Sequence, residues 1–583
     1  MTFARHLAPG DPADVAVPLA LPLAMPDQAF AHPFRDHAAP GVARVRGVAA
    51  ARAFALGLPA ILCLWIGWQS LRWFGLDGQV MTIEWLLAVG TAFACYWMAV
   101  SVATALLGLF RRPDAPPHPF GRKAGLRVAI LLPMYGEDAQ ATIGTAVALL
   151  AALPGRDHAH RFCLHVLSDT RDAAGRADER AVIADLRMRH PRLSLHLRQR
   201  YQNRDYKSGN IRDWIGAEGG AHDAALILDA DSVMGRSAVL RLANALAADP
   251  GVALVQSQPL VLPGATLWQR MQSFASHVYG ANLGRGVAAW AGSEGNFLGH
   301  NAILRLCAFA ASAGLPHLPG PRPLGGVILS HDFVEAALLR RAGWGVRMLP
   351  EATDSHEGTP ETLPGYLRRD RRWCQGNMQH LRLLAMPGLH PMSRFHLLQG
   401  AVAYLSSVWW LCLLVLWAAL AQMLPGPVTM TGPLVGQFAM TLIVAGLLLG
   451  PKLLGVVAYL RDRPPARGRG GAFAVTLLAE VVLSLLLAPA LMLHQVRAVV
   501  TTLAGFDGGW SPHLAGRATL RRLARFHIAE TAVGMVLCGL VAAGLLTPWV
   551  LPVGVCLVLT LPVSVLMAQD VTGWRLLCGP ETR

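Results

Sequence analysis

The chain has 583 residues, of which 53% are hydrophobic and only 15% charged, with a positive mean hydropathy. That balance is too apolar for an ordinary soluble enzyme. The net charge of +15 comes from 51 Lys and Arg, only three of them Lys, in a chain rich in Ala and Gly, so it does not point to a nucleic-acid partner.

Residues 1–48 are rich in Ala, Pro and His without apolar periodicity, and read as a mobile tail. No signal peptide is expected, because the first apolar span begins too far into the chain. Ala53 to Leu71 and Trp85 to Phe110 carry no charge. A bilayer core of roughly 30 Å needs about 20 apolar residues in a helix, so 49–112 is expected to hold two membrane-spanning helices. Residues 113–392 carry charges and alternating strand and helix patterns, the marks of a soluble domain inserted between spans. Leu397 to Pro451 is again free of charge and broken at "PGPVTMTGP", which gives two helices in 393–471. Thr531 to Gln569, broken at "TPWVLP", gives two more in 525–583.

Arginines crowd the domain flanks (Arg111, Arg112, Arg368, Arg369, Arg371, Arg372) and the approach to the first span (Arg44, Arg46, Arg52), which places both on the cytoplasmic side. Residues 472–524 are ambiguous. Ala472 to Leu503 is apolar enough to span, but it contains Glu480 and Pro489 and has basic flanks on both sides. An interfacial or re-entrant hairpin is expected, with both chain termini cytoplasmic; the alternative is a seventh span with the C-terminus outside. The nine Cys include no CxxC, and Cys63, Cys95, Cys412, Cys538 and Cys556 lie in apolar runs. They read as packing residues rather than as a zinc site or disulfide framework.

Within the domain, "LRVAILLPMYGED", "FCLHVLSDTRD", "DAALILDADSVM" and "GVALVQSQPL" are apolar runs, the first three separated by helical stretches. Such runs argue for a mostly parallel sheet covered on both faces, where ligands gather beyond the carboxyl ends of strands. Asp169, Asp229 and Asp231 fall at such ends. Two carboxylates at Asp-Ala-Asp spacing repel one another, and a hard divalent cation, Mg²⁺ or Mn²⁺, bridging to phosphate oxygens would stabilise them. "NRDYKSGNIRDW" sets Lys207 at a turn into a helix, suited to a diphosphate. "GSEGNFLGHNAILR" is a Gly-punctuated loop whose Phe297 and Gly299 suit a sugar-binding wall. "LSHDFVEAALLRRAGW" puts Asp332 at the start of an amphipathic helix, and "RRDRRWCQGNMQH" places Arg372 and Trp373 in a cationic segment before the membrane.

In this order the motifs resemble the processive family 2 glycosyltransferases related to cellulose synthase. The wording "GNFLGHNAILR", "LSHDFVEA" and "RRWCQGNMQH" resembles the glucans biosynthesis glucosyltransferase H family, over about Leu126 to Ala568. The resemblance implies a polytopic α-helical protein of the bacterial inner membrane with an inserted cytoplasmic GT-A-like α/β domain. It implies an inverting, processive enzyme that polymerises glucose from UDP-glucose into a β-linked, β-1,2, osmoregulated periplasmic glucan backbone and passes it across the membrane. Asp169 would contact uracil, Asp229 and Asp231 would hold metal and diphosphate, and Asp332 would be the base. Arg372 would neutralise the departing UDP, and Trp373 would stack beneath the acceptor. Implied partners are the UDP-sugar, the growing glucan, membrane lipids, acyl carrier protein and a periplasmic glucan-modifying protein, without nucleic acid. Two positions depart from the broader pattern: Arg369 stands in the glutamine position of Gln-x-x-Arg-Trp, and Ser330-His331-Asp332 replaces Thr-Glu-Asp. Other readings are a transferase that adds a single sugar to a lipid carrier and a synthase of another polysaccharide. "TTLAGFDGGW", Thr501 to Trp510, lies where related synthases carry a gating loop. Trp268, Trp290, Trp409 and Trp410 join Trp373 as surfaces on which a moving glucan could stack.

Overall fold

The computed structural model describes residues 21–43, 45–75, 78–111, 125–155, 157–423, 434–463, 469–508 and 519–574. The inserted domain is built on β1 (Arg127–Met134), β2 (Arg161–Ser168), β3 (Leu195–Gln199), β4 (Ala224–Ile227), β5 (Val233–Met234), β6 (Val252–Ser257), β7 (Leu260–Val261), β8 (Ala302–Arg305), β9 (Gly345–Leu349) and β10 (Ser355–Glu357). Seven of these form one sheet in the order β3-β2-β1-β4-β8-β6-β9. Its neighbours are parallel except at β8, which runs antiparallel to β4 and β6. β5, β10 and β7 make a second, small sheet.

β1 reads as one apolar run because both its faces are covered. The helices Ala139–Ala152, Ala173–Arg189 and Arg236–Ala248 supply one layer. Tyr206–Glu218, Leu306–Ser312 and His331–Ala342 supply the other. Asp138 and Asp172 start two of the first layer's helices by accepting the amide hydrogens of Ala141 and Gly175 at 2.8 and 2.7 Å. The chain winds outward through β2 and β3 on one side of β1 and continues with β4 on the other. The crevice between β1 and β4 is therefore a topological switch point, where such sheets bind ligands.

By length and apolarity, Val48–Phe74, Thr82–Phe110, Pro391–Gln422, Leu442–Asp462, Gly470–Leu503 and Pro548–Met567 can each cross a bilayer. Leu520–Phe526 and Ile528–Ala542, bent by 62° at their junction, form a seventh segment of this kind if counted as one. Three pairs return to the domain at both ends. Arg52, at the foot of the first helix, bonds the Trp290 carbonyl at 3.2 Å and Glu294 at 2.6 Å, and Asp462, at the end of the fourth, pairs with Arg285 at 2.5 Å. The last pair closes where Leu267 N–H donates to the Gln569 carbonyl at 3.0 Å.

Gly470–Leu503 corrects the expected hairpin: it is one continuous helix of 34 residues with Pro489 inside it. It packs against helices of the domain and also against the apolar helices, meeting Val563, Met567, Ala401 and Tyr404. Phe473 meets Phe274 with ring centroids 5.4 Å apart, Leu483 and Leu487 join Leu267 and Leu363, and Ala498 and Val499 join Cys374 and Met378. Apolar burial on so many turns outweighs the single hydrogen bond that an interior proline removes. Glu480 is satisfied by Lys452 at 2.7 Å and the Tyr279 hydroxyl at 2.9 Å.

The expected mobile tail is also corrected over residues 21–43, which lie along the domain. Gln28 N–H donates to the Gly314 carbonyl at 3.0 Å, Trp344 Nε1–H donates to Asp36 at 2.9 Å, and Arg212 pairs with Asp27 at 2.6 Å. The centre of this strap is Arg341, buried, which donates to Gln28 Oε1 and to the Ala29 carbonyl at 3.0 Å each. Composition hides such a segment because its order comes from a few polar contacts to residues some 300 positions away. Arg341→Met is expected to release it, costing about 2 kcal/mol for the lost charge-assisted bonds. Limited proteolysis should then cut between residues 21 and 43 faster than in the parent chain.

Candidate active site

Asp169 follows β2 directly, its amide hydrogen held by the Met134 carbonyl at 2.8 Å. Its carboxylate is gripped by Arg200 through both Nε and Nη2, the latter at 2.8 Å, and its carbonyl accepts from Asn203 at 2.6 Å. Arg200 also bonds Asp213 at 3.0 Å and the Tyr206 carbonyl at 2.7 Å, so it ties the end of β2 to the following helix. Asp205 and Tyr206, with φ of 56° and 52°, turn the chain sharply into that helix. The turn aims Lys207 across the crevice.

Asp229 and Asp231 leave β4 on a turn rather than on a continuing strand, which separates carboxylates that a strand would stack. Ser232 fixes this turn: its Oγ accepts the Asp229 amide hydrogen at 2.9 Å, and its own N–H donates to the Asp229 carbonyl at 3.0 Å. Lys207 Nζ pairs with Asp229 and donates to the Gly299 carbonyl at 2.9 Å. Withdrawal from water would raise Asp229, but the Lys207 and His300 charges outweigh it and hold the carboxyl below its usual range. Asp231 is less well compensated. The protein walls of the cleft and the neighbouring Asp229 charge push it to about 6, although His300 and Arg369 pull its carboxyl down. Behind the pair, His300 lies 3.1 Å from Glu357. Burial opposes its charge, yet Asp229 and Glu357 carry it up to about 9.

Asp332 stands in the first turn of His331–Ala342, against Gly299. Burial pushes its carboxyl above the usual range, although His331 pulls the other way. His331 in turn pairs with Glu335 at 3.1 Å, which keeps the imidazole above its ordinary value despite burial. Gly299 has φ of +93°, and a Cβ there would sit 3.2 Å from Asp332 Oδ2. Gly299→Ala should therefore cost about 1 kcal/mol in backbone strain and displace Asp332. Any activity that depends on Asp332 is expected to fall about tenfold or more with little change in ligand affinity, measured as kcat against binding.

The helix Leu363–His380 docks on the same corner. His380 bonds the Ser330 carbonyl at 2.9 Å, and Gly376 allows close approach to Ser330, where a Cβ would lie 2.2 Å from its Oγ. One face of this helix carries Arg369, Arg372 and Trp373. The Trp373 ring is 44% exposed, with the Arg369 guanidinium 4.6 Å from its centroid. The other face is anchored, Asp370 accepting from the Tyr404 hydroxyl at 3.2 Å and Gln495 at 3.3 Å. Residues 505–508 of the expected gating stretch reach this helix, where Gln375 bonds Asp507 at 3.0 Å and the Gly508 amide at 3.1 Å. Trp510 lies outside the described residues.

Lys207, Asp229, Gly299 and Asp332 are thus brought together at one corner, with Asp231 on the same turn as Asp229. Asp169 is buried at the end of β2 beneath Arg200, and Arg372 and Trp373 stand on the helix that docks at Ser330. Phe297 does not join them. It is 2% exposed and packed in the core with Phe309 and Leu339, because the Gly-rich loop turns it inward; the expectation of a sugar-facing ring is corrected. Trp268 and Trp290 are buried as well, at 3% and 1% exposure, and offer no stacking face. Arg200, His300, Glu357 and Gln375 are neighbours of the expected site residues that the motifs did not single out, although Arg200, His300 and Gln375 sit within or beside the quoted segments.

A switch-point crevice with an Asp-Ala-Asp turn, in a mostly parallel sheet joined to apolar helices, defines a glycosyltransferase of the GT-A type set in a membrane protein. A family model described as "Glycosyl transferase family group 2" matches residues 225–426. Glucans biosynthesis glucosyltransferase H of Caulobacter vibrioides is 38% identical over 559 residues, covering 90% of this chain and 83% of its own. The proteins of that name from Bradyrhizobium diazoefficiens and Vibrio cholerae are 37% and 35% identical, over 86% and 91% of this chain and 71% and 77% of theirs. Among solved structures, mannosyltransferase PcManGT from Pyrobaculum calidifontis, in complex with GDP-Man and Mn²⁺, is similar with a TM-score of 0.42 and 16% identity, covering 65% of this chain and 99% of its own. The chain belongs to the glucans biosynthesis glucosyltransferase H family.

Proposed function

We propose that the chain is an inverting, processive glucosyltransferase that draws on UDP-glucose, extends a β-1,2-linked glucan and passes it across the bacterial inner membrane. The observation that carries this reading is the contiguity of the crevice. Lys207 joins Asp229 to the Gly299 carbonyl, and Asp332 lies against Gly299, so a seat for metal and diphosphate adjoins a base.

The donor set fits Mg²⁺ or Mn²⁺. Asp229 and Asp231 offer only oxygen ligands on one turn, and the upward push on Asp231, from burial first and the Asp229 charge second, is one that a bound cation relieves. When bound, the ion supplies charge to the diphosphate as it leaves. Asp332 takes the proton from the acceptor hydroxyl as that oxygen attacks the sugar carbon, and its raised carboxyl makes it a better base than a solvated aspartate. With Asp229 and Asp231 committed to the diphosphate, the reaction is a single displacement, which inverts an α-linked donor to a β-linked product. Asp169 contacts uracil once Arg200 has fixed its orientation, Arg372 balances the departing UDP, and Trp373 offers its exposed ring to the acceptor.

Translocation is supported by the three helix pairs that return to the domain and by an aromatic-walled cavity of about 230 Å³ between Thr82–Phe110 and Pro391–Gln422. It is lined by Phe93, Trp97, Ser101, Ser406, Trp409 and Trp410. The arginine-rich flanks of the domain support a cytoplasmic location for it. The test is turnover of radiolabelled UDP-glucose by the purified protein in proteoliposomes with Mg²⁺. Enclosed oligosaccharide of many sugars is the expected product. Lipid-linked monosaccharide alone, or turnover only with another UDP-sugar, overturns the glucan polymerase reading.

A further inference from the structure

Cys163 and His165 stand two residues apart on β2 and so project from one face of the sheet. His222 lies just ahead of β4. Cys163 Sγ is 3.4 Å from His165 Nε2 and 4.0 Å from His222 Nδ1, and the three donor atoms all lie within 4.8 Å of one another. In a tetrahedral zinc site, metal–sulfur and metal–nitrogen bonds of about 2.3 and 2.1 Å hold neighbouring ligand atoms roughly 3.5 Å apart. The cluster needs to contract only slightly to reach that.

Its surroundings support a ligand role. On the far side of His165, Glu218 Oε2 lies 3.2 Å from Nδ1 and has no other hydrogen-bond partner. The Trp214 indole N–H also reaches Nδ1, at 3.1 Å. Nδ1 cannot both accept from Trp214 and donate to Glu218. Metal binding at Nε2 requires the tautomer in which Nδ1 carries the proton and donates to Glu218 instead of accepting from Trp214, as in metal-bound histidines backed by a carboxylate. The rings are held in place: His196 stacks on His165 with centroids 4.6 Å apart, and His222 stacks on Trp214 at 5.6 Å. Six residues of strand, roughly 20 Å, separate Cys163 from Asp169, so the cluster is remote from the transfer site.

We propose that Cys163, His165 and His222 bind a zinc-class divalent ion that ties β2 to the start of β4 beneath the helix Tyr206–Glu218. Binding converts the Cys163 thiol to thiolate and releases its proton to solvent. The thiolate selects a softer ion than the all-oxygen pair at Asp229 and Asp231 does, so the two sites are chemically distinguishable.

The full-length protein, purified in detergent without chelator, is expected to retain near-stoichiometric zinc by elemental mass spectrometry. After exchange with Co²⁺ it should show a thiolate-to-cobalt charge-transfer band, which an ion on aspartates cannot give. Cys163→Ser and His222→Gln should lose both the zinc and the band, and should melt at the temperature of the chelator-treated parent with Mg²⁺ in excess. Parent protein that holds no zinc and shows no thiolate band on cobalt loading overturns the proposal, and that measurement needs no variant to fold.

Discussion

Asp332→Asn is expected to lower glucosyl transfer by about 10²- to 10⁴-fold, the usual contribution of a positioned general base, while UDP affinity stays within about threefold of the parent. The substitution keeps the shape of the side chain in the first turn of its helix and its contact with Gly299, so the crevice should persist. What it removes is the group whose pKa burial has raised and which adjoins the Lys207 bridge through Gly299. Steady-state release of UDP from UDP-glucose, beside calorimetric titration of UDP, separates the two effects. Polymer synthesis within about tenfold of the parent would remove the base assignment.

The second large effect falls on Asp231. Asp231→Ala should weaken Mg²⁺-dependent UDP binding by about 100-fold, or ~2.7 kcal/mol, and leave metal-free binding unaltered. The parent should also show a defined pH dependence. Asp231 titrates at about 6, and a metal ligand must be ionised, so metal-dependent affinity is full above that value and falls about tenfold per unit below it. Asp229 is held below the usual range and stays ionised through the same window, so it adds no second step there. His300, raised to about 9, remains cationic across it. UDP titrations with Mg²⁺ from about pH 5 to 8 test this, and a flat profile would exclude Asp231 as a ligand.

How far these residues were legible in the sequence depended on the range of the force that places them. β1, β2, β4 and β6 were plain, because strands buried on both faces read as unbroken apolar runs, and Asp169, Asp229 and Asp231 could be placed at their ends. β3, β8 and β9 were not. "LHLRQ" is half polar, "AILR" lies inside a Gly-rich loop, and each is a strand only because a neighbour supplies its hydrogen bonds. Phe297 failed for a related reason, since an aromatic between glycines can face either side and only the packing of Phe309 and Leu339 decides. Cys163, His165 and His222 show no metal-binding spacing along the chain; the sheet and the loop before β4 bring them together. The strap at Gln28 and the grip of Arg200 on Asp169 are likewise products of folding rather than of local pattern.

Asp370 gives the anchored face of Leu363–His380 a mechanical meaning. One carboxylate, accepting from Tyr404 and Gln495, bolts the platform that carries Trp373 to two separate helices of the apolar layer. The height of that platform above the apolar layer is then set by the register of those two helices. A substitution that shifts either helix is expected to shift the Trp373 ring with it.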